Sequence, residues 1–200
     1  MKENYTFRVE DHFTGDAPFL SIVTRTMPGR PKGIEFNQGG IAIQVKRNFE
    51  QVFIEDHKGM GMLEANRSFQ YVSDMIRGEY VHLLDDDDYY TNPVFTQRME
   101  ELATTKPDII LFKMKIFTGD GDNIYPKPDC WGDIPKIARI GGSCFIVRRD
   151  VYQKHIHQFG IRRCGDFNFL KSVWTDSPRV IWHDEMMCEA KPSYGKPEPR

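Results

Sequence analysis

Four consecutive aspartates, at positions 85–88, follow directly after a short apolar segment at 80–84. In an extended chain, side chains two residues apart share a face, so the sequence predicts that Asp85 and Asp87 project to one side and the other two aspartates to the opposite side. Two carboxylates on one face are ligands that Mg²⁺ and Mn²⁺ prefer, with water and a substrate phosphate completing the shell. The alternative is a solvated acidic turn, whose charge is offset by the N-terminus of a following helix that Asn92 would cap.

Size and composition are those of a soluble protein with a single domain. The chain has 200 residues, four cysteines, a net charge of −2 and a pI near 6.3, and one domain of this size can bury a hydrophobic core. The small net charge argues against binding to a nucleic-acid scaffold. No apolar run approaches the ~20 residues of a membrane span, and the cysteines are too widely spaced for a zinc ribbon. We therefore expect a cytoplasmic protein with reduced thiols.

Apolar segments with strand character alternate with helical patterns in the first half of the chain. Such alternation predicts β-α-β units and a largely parallel sheet that is covered by helices on both faces. The strands are predicted at 19–24, 51–56, 80–84 and 108–112, and two of the helices at 62–76 and 93–104. For the first connection we expect a broken helix, because Gly39 and Gly40 would weaken it, and 41–45 also alternates like a strand.

The second half is richer in loops and prolines. A turn is predicted at 119–123, strands at 141–147 and 179–182, a helix at 149–155 and another helix that begins near Asp166. The last ten residues, 191–200, contain three prolines and no apolar periodicity, so we expect a flexible tail. The domain organisation predicted is therefore a single domain at 1–190, followed by this tail.

Polar residues follow three of the predicted parallel strands, at the point where each strand ends. These are Thr24 and Arg25, then Glu55 and Asp56, and then the aspartates of 85–88. Open α/β sheets bind ligands at the carboxyl ends of their strands. The grouping therefore predicts one ligand site at this edge.

The same stretches resemble the family 2 glycosyltransferases of GT-A fold. In that family a strand opens onto a loop with Thr and Arg, a second strand ends in acidic residues, and Gly-Glu-Tyr precedes an apolar strand that ends in Asp-x-Asp-Asp. The corresponding stretches here are 19–31, 52–56 and 78–88. The resemblance covers 18–112 and implies a GT-A (Rossmann-like) α/β domain, with a mostly parallel sheet flanked by helices and a smaller mixed sheet on the acceptor side.

The second half resembles the family more loosely. The run Gly-Gly-Ser-Cys-Phe-Ile-Val at 141–147 is similar to the Gly-Gly strand that these enzymes, and the related polypeptide N-acetylgalactosaminyltransferases, carry before their acceptor helix. The pair Gly165-Asp166 is similar to the segment that holds the catalytic base, although the family more often has Glu before the Asp. The resemblance thus implies a nucleotide-sugar half at 18–117 and an acceptor half at 118–190.

The resemblance also implies a role for each matching residue. Asp87 would be the principal ligand of Mn²⁺ or Mg²⁺, with Asp85 reaching the metal or the ribose through water, Asp86 supporting the cluster and His183 as a further metal ligand. Asp166 would be the catalytic base, although an Asp at that position is also a common helix N-cap. The implied contacts to the nucleotide-sugar are Thr24, Arg25, Glu55, Asp56, Asn66, Arg67, Asp85 and Asp86.

Within that set, Glu55 or Asp56 would meet the uracil ring. The implied function is transfer of a sugar, with glucose as the default expectation, from a UDP-sugar to an unidentified hydroxyl acceptor with inversion. A sugar-phosphate nucleotidylyltransferase is an alternative, but the loop at 26–30 carries one glycine and lacks a glycine-rich phosphate loop. A non-catalytic module that binds Ca²⁺ or a nucleotide is the other alternative, although the spacing of an EF-hand is absent.

Overall fold

In the computed structural model, the described residues are 2–118, 121–161 and 164–196. Their strands are β1 Tyr5–His12, β2 Leu20–Thr26, β3 Phe49–Asp56, β4 Tyr80–Leu83, β5 Asp88–Tyr90, β6 Ile109–Thr118, β7 Gly121–Tyr125, β8 Phe145–Arg148 and β9 Val180–Ala190. Their α-helices are α1 Pro31–Ala42, α2 Met62–Tyr71, α3 Phe95–Ala103, α4 Arg149–His155 and α5 Gly165–Trp174. In this part of the chain, each helix is too short or too polar to span a membrane.

The strands form one sheet in the order β1-β3-β2-β4-β8-β6-β9-β5, and β7 pairs with β6. Strands β3, β2 and β4 are parallel neighbours, so their carboxyl ends meet at one edge. Antiparallel strands extend this centre, with β1 beside β3 on one side and β8 beside β4 on the other. The α/β domain of GT-A type that the sequence predicts is confirmed, with its parallel and antiparallel strands in a single mixed sheet.

The core lies between this sheet and helices on both of its faces. Helices α1 and α3 cover one face, where Asn37 contacts Gln51 and where Phe95 stacks on His82. Helices α2, α4 and α5 cover the other face and are held together by contacts of Tyr152. The central strands are buried on both faces, which explains why their sequences are nearly continuous apolar runs.

Most predicted elements are present, with shifted ends. Helix α2 is shorter than predicted and is followed by a 3₁₀ turn at Ser73–Met75, while β6 and β9 are longer than predicted. Strands β1 and β5 were not expected. The turn predicted at 119–123 falls partly outside the described residues, which resume at Gly121 with β7.

The segment expected to be a flexible tail is partly described. Lys191 donates its backbone N–H to the carbonyl of Asp87 at 2.8 Å, and the Tyr194 ring packs edge-on against Phe36 at 5.3 Å between centroids. Residues 191–195 therefore fold back beside the aspartates of 85–88. Residues 197–200 lie outside the described residues.

The expectation of a broken first helix is wrong, because α1 runs without interruption through both of its glycines. An added Cβ at Gly40 would lie 2.6 Å from the backbone nitrogen of Tyr90 in β5, whereas one at Gly39 would lie 3.4 Å from the ring of Tyr89. Gly40 thus allows α1 to approach the backbone of β5. This contact places α1 against the strand that follows the aspartates.

These two glycines give a matched pair of variants. We predict that Gly40→Ala lowers the free energy of unfolding by about 1–3 kcal/mol, because the added methyl group meets backbone that cannot rotate away. Gly39→Ala should leave it unchanged or raise it by up to about 1 kcal/mol, since alanine favours a helix. Urea unfolding of both variants measures this free energy. Equal changes in the two variants would contradict the close approach of Gly40 to the backbone of β5.

Candidate active site

The aspartates at 85–88 form a turn at the carboxyl edge of the parallel strands. The N–H of Asp88 donates to the carbonyl of Asp85 at 3.0 Å, and regular strand structure ends at Leu83. The prediction of side chains alternating along an extended chain is therefore wrong, because Asp85, Asp86 and Asp87 all line one cavity. A turn lets each carboxylate find a different partner, which an extended run of like charges does not.

Asp85 pairs with Arg25 at the end of β2. The guanidinium donates from Nε to Oδ1 at 2.8 Å and from Nη2 to Oδ2, so the contact is bidentate. Its Nη1 donates to Oδ1 of Asn66 in α2 at 2.9 Å, and its carbon lies 4.2 Å from the centroid of the Phe69 ring. Arg25 thereby joins β2, the aspartate turn and α2.

Asp86 and Asp88 are held by other groups. Asp86 is 1% exposed, and it accepts hydrogen bonds from Oγ1 of Thr26 at 2.9 Å and from Nη1 of Arg30 at 3.3 Å. Asp88 accepts from the N–H of Asp85 at 3.1 Å and from the hydroxyl of Ser143. Asp88 thus anchors the turn, and its pKa is raised well above the ordinary value because it is buried beside other carboxylates.

A polar network from α1 supports the backbone of the turn. Nδ2 of Asn37 donates to the carbonyls of Asp85 and Asp88 at 3.0 and 3.3 Å. Nε2 of Gln51 in turn donates to Oδ1 of Asn37 at 2.9 Å and to Oγ1 of Thr24 at 2.8 Å. Buried amides of this kind fix a single backbone conformation when their hydrogen bonds are satisfied.

In the described part of the chain, Asp87 is the member of the run whose carboxylate accepts no hydrogen bond from another side chain, and it lines the cavity. Burial, followed by the charges of Asp85 and Asp86, raises its pKa to about 7, and burial raises the pKa of Asp86 to about 6. Gly195 lies directly against Asp87, since an added Cβ there would be 2.7 Å from its Oδ2. Asp87 is therefore a buried acid whose ionised form an added cation would stabilise.

Two adjoining cavities lie at this edge. The aspartate cavity, which contains Asp85 to Asp87 in its wall, has a volume of about 530 Å³. The Asp166 cavity, which also contains Gly142 and Ser143, has a volume of about 290 Å³. They share the lining residues Arg25, Met62, Asn66 and Asp85.

Asp166 lies in the first turn of α5, where its Oδ1 accepts a hydrogen bond from the N–H of Phe167 at 2.8 Å. Burial raises the pKa of this carboxyl above its ordinary value. Asp166 is not the N-cap that the sequence offered as an alternative, because the N-cap is Cys164, but it does line a cavity. A carboxylate of raised pKa that borders a cavity can accept a proton from a bound hydroxyl group.

A larger cavity of about 760 Å³ lies at the opposite edge of the sheet. It lies at the amino ends of the parallel strands, whereas open α/β sheets bind their ligands at the carboxyl ends. Because the carboxyl edge holds the buried acids, the two adjoining cavities form the candidate active site.

Asp87 is the residue of this site that could hold a divalent cation. Among the described residues, no group of three or more His, Cys, Asp or Glu side chains is arranged to hold a metal ion, and Asp85 and Asp86 already pair with arginines. The free carboxylate at Asp87 is the available protein ligand. Mg²⁺ commonly uses one or two carboxylates together with substrate phosphates, so this donor set suits a metal that arrives with a nucleotide.

Four residues that the resemblance assigns to the site lie apart from the two cavities. Thr24 accepts a hydrogen bond from Gln51 on the face of the sheet that α1 covers, whereas the next residue, Arg25, contacts α2 on the opposite face. Arg67 bonds the carbonyl of Gly160 at 3.1 Å. The other two are Glu55, which lines a separate cavity of about 400 Å³, and His183, whose Nε2 is 3.2 Å from Oε2 of Glu185.

Asp56 does line the aspartate cavity, but its carboxylate also shapes the following loop. It accepts hydrogen bonds from the backbone N–H groups of Lys58, Gly59 and Met60 at 2.9–3.0 Å. The resemblance implies that Glu55 or Asp56 meets the uracil ring, and these hydrogen bonds of Asp56 to the loop were not expected.

Several residues of the site were missed. Arg30 offsets the charge of Asp86, Thr26 donates a hydrogen bond to the same carboxylate, and Ser143 holds Asp88. Tyr5 lines the aspartate cavity from β1. Arg30 could have been predicted from the sequence. Four adjacent carboxylates need nearby positive charges, and Arg30 lies in the loop that follows β2.

No protein-family model matches the sequence, and no curated protein matches it. Solved structures do match in fold. Residues 1–349 of S. aureus TarS in complex with UDP give a TM-score of 0.64 at 16% identity, over 86% of this chain and 60% of that one. The same protein in complex with UDP-GlcNAc gives a TM-score of 0.61 at 16% identity, over 90% of this chain and 59% of that one. The chain thus spans about three fifths of the TarS chains that it matches, and the likeness shows the fold.

The pKa values give a prediction about stability. Folding raises the pKa of Asp87 from 3.8 to about 7, so the stability that its protonation provides is present below about pH 4 and is lost as the pH rises through 7. In EDTA, Asp87→Asn should therefore melt at a higher temperature than the wild type at pH 8. The expected rise is about 2–4 °C for each kcal/mol gained in the free energy of unfolding. At pH 4 the two should melt together.

Asp85→Asn is the matched control. It removes the bidentate partner of Arg25 and should lower the melting temperature at both pH values, because a half-buried guanidinium loses its counter-charge. A shift for Asp87→Asn that is equal at pH 4 and pH 8 would show that its carboxylate is not the strained group.

Proposed function

We propose that this protein is a metal-dependent glycosyltransferase that uses a UDP-sugar. The observation that carries the proposal is the pair of adjoining cavities, with the aspartate turn at their junction and Asp166 in the smaller one. The larger volume is within the usual range for ligand pockets and suits a nucleoside diphosphate, whereas the smaller one suits a single sugar ring. The TarS structures with UDP and UDP-GlcNAc support a UDP-sugar as the donor.

The transferred sugar is a hexose in this proposal. Glucose is the default expectation from the sequence, and the TarS complex with UDP-GlcNAc makes N-acetylglucosamine the first alternative to test. The acceptor is a molecule with a free hydroxyl group.

The chain's own residues bind and orient the donor. Arg25 and Arg30 place two guanidinium groups at the aspartate cavity, where they can attract a diphosphate and balance the acids that surround it. Asn66, shared by both cavities, can position the sugar or ribose hydroxyls. When bound at Asp87, Mn²⁺ or Mg²⁺ would act as a Lewis acid that neutralises the charge of the leaving diphosphate.

Asp166 is the proposed catalytic base. It would take the proton from the attacking hydroxyl group, so that a new bond forms to the anomeric carbon as the bond to the diphosphate breaks. A single displacement of this kind inverts the anomeric configuration. The raised pKa of Asp166, caused mainly by burial, increases its basicity in this role.

We predict that Asp166→Asn keeps the affinity for a UDP-sugar and lowers its turnover by about 10²-fold or more, because the amide cannot accept the proton. Hydrolysis of UDP-glucose and UDP-GlcNAc, with water as the acceptor, measures this without knowledge of the natural acceptor. Proton NMR of the fresh product should show inversion.

Asp150→Asn is the matched control, because Asp150 also accepts an N–H bond in the first turn of a helix, from Val151 at 2.9 Å, but lies outside both cavities. Its turnover should equal that of the wild type. Near-normal hydrolysis by Asp166→Asn, or retention in the product, would remove Asp166 from the catalytic role.

We predict further that the site selects uracil. In competition with UDP in the presence of Mn²⁺, ADP and GDP should bind at least about tenfold more weakly, since polar groups of the cavity are left unpaired by the wrong base. Equal or tighter binding of ADP or GDP in calorimetry would overturn the assignment of a uridine nucleotide.

A further inference from the structure

Tyr5 is the first residue of β1, the edge strand that adds to β3. It pairs in register with Asp56, and its ring packs against Tyr71 of α2 at 5.6 Å between centroids. The residue is 7% exposed, yet within the described residues its hydroxyl group has no hydrogen-bond partner. A buried hydroxyl without a partner costs about 1–3 kcal/mol, so such a group in a folded protein needs an explanation.

The position of Tyr5 supplies one, because it lines the aspartate cavity. It enters from the β1 and β3 side, where its neighbours in the wall include Ile54 and Ala65, whereas Arg25 and the aspartates form the charged side. The cavity therefore has one charged side, suited to a diphosphate, and one side with apolar groups and a hydroxyl. A flat nucleobase with polar edge atoms suits that second side.

The hydroxyl group is available there as a donor. Burial, and then the charges of Asp56 and Glu64, raise the pKa of Tyr5 to about 12, so that it keeps its proton at neutral pH. The nearby acids leave the region rich in acceptors. A ligand that presents a carbonyl oxygen complements a protonated hydroxyl, and uracil presents two.

We propose that the Tyr5 hydroxyl group is a specificity-determining group that donates a hydrogen bond to a carbonyl oxygen of the donor's nucleobase. This inference rests on the proposed function, namely that the aspartate cavity binds a UDP-sugar. It assigns part of the base recognition to β1, a strand that lies outside the stretch 18–112 that resembles the family 2 enzymes.

Tyr5→Phe tests the inference by calorimetry with two probes in Mn²⁺: UDP, which has the base, and inorganic pyrophosphate, which lacks it. The variant should bind UDP about 3- to 10-fold more weakly, the scale of one net hydrogen bond. Its affinity for pyrophosphate should be unchanged. Its melting temperature should hold or rise, because a hydroxyl without a protein partner is removed.

Tyr71→Phe is the matched control. The Tyr71 hydroxyl donates to Oε1 of Glu64 at 3.0 Å, and it is not part of the cavity wall, so the variant should bind UDP as the wild type does. Wild-type affinity for UDP in Tyr5→Phe, or equal losses for UDP and pyrophosphate, would overturn the role of Tyr5 alone. Failure of the wild type to bind UDP would overturn the proposed function and this inference together.

Discussion

The half-buried ion pair between Arg25 and Asp85 is the interaction on which the site depends. Arg25 is desolvated, and the charge and hydrogen bonds of Asp85 raise its pKa despite that burial. The pair joins the end of β2 to the aspartate turn, and the same guanidinium holds Asn66 and Phe69 of α2. Removing one partner should destabilise the site, because the other charge is left half-buried without its bidentate partner. The pair therefore fixes the walls of both cavities.

The pair also determines what the other aspartates can do. With Asp85 held by Arg25, Asp86 by Arg30 and Asp88 by Ser143, three of the four carboxylates stabilise the turn. Asp87 is left facing the cavity. The resemblance assigned the metal to a group of ligands, whereas the geometry supports one protein ligand, with the rest of the shell left to diphosphate and water.

Much of the fold could be predicted from the sequence, because the buried central strands are apolar runs that end in polar residues. The same logic placed Arg25, Asp56 and the aspartate turn at one edge. Strand β1 was missed although Tyr5, Phe7 and Val9 alternate with polar residues, which is the pattern of an edge strand. Long-range partners were less predictable. The turn depends on Arg25 and Asn37, which are distant in sequence.

The position of His183 illustrates what a sequence pattern cannot supply. The resemblance gave its place along the chain, but the direction of its side chain depends on the register between β6 and β9. That register shifts just after the pairing of His183 with Phe112. Glu185, whose Oε2 lies 3.2 Å from Nε2 of His183, belongs to the shifted segment, and no local pattern marks such a shift.

The most direct test is the effect of Mn²⁺ on the affinity for UDP, measured by calorimetry in the wild type and in Asp87→Ala. If Asp87 is the ligand of a metal that binds with the diphosphate, Mn²⁺ should tighten UDP binding by at least about tenfold in the wild type, the scale of 1.4 kcal/mol. It should have no effect in the variant, which should remain folded. An affinity that Mn²⁺ leaves unchanged in the wild type, or raises equally in both proteins, would contradict a metal site at the aspartate turn.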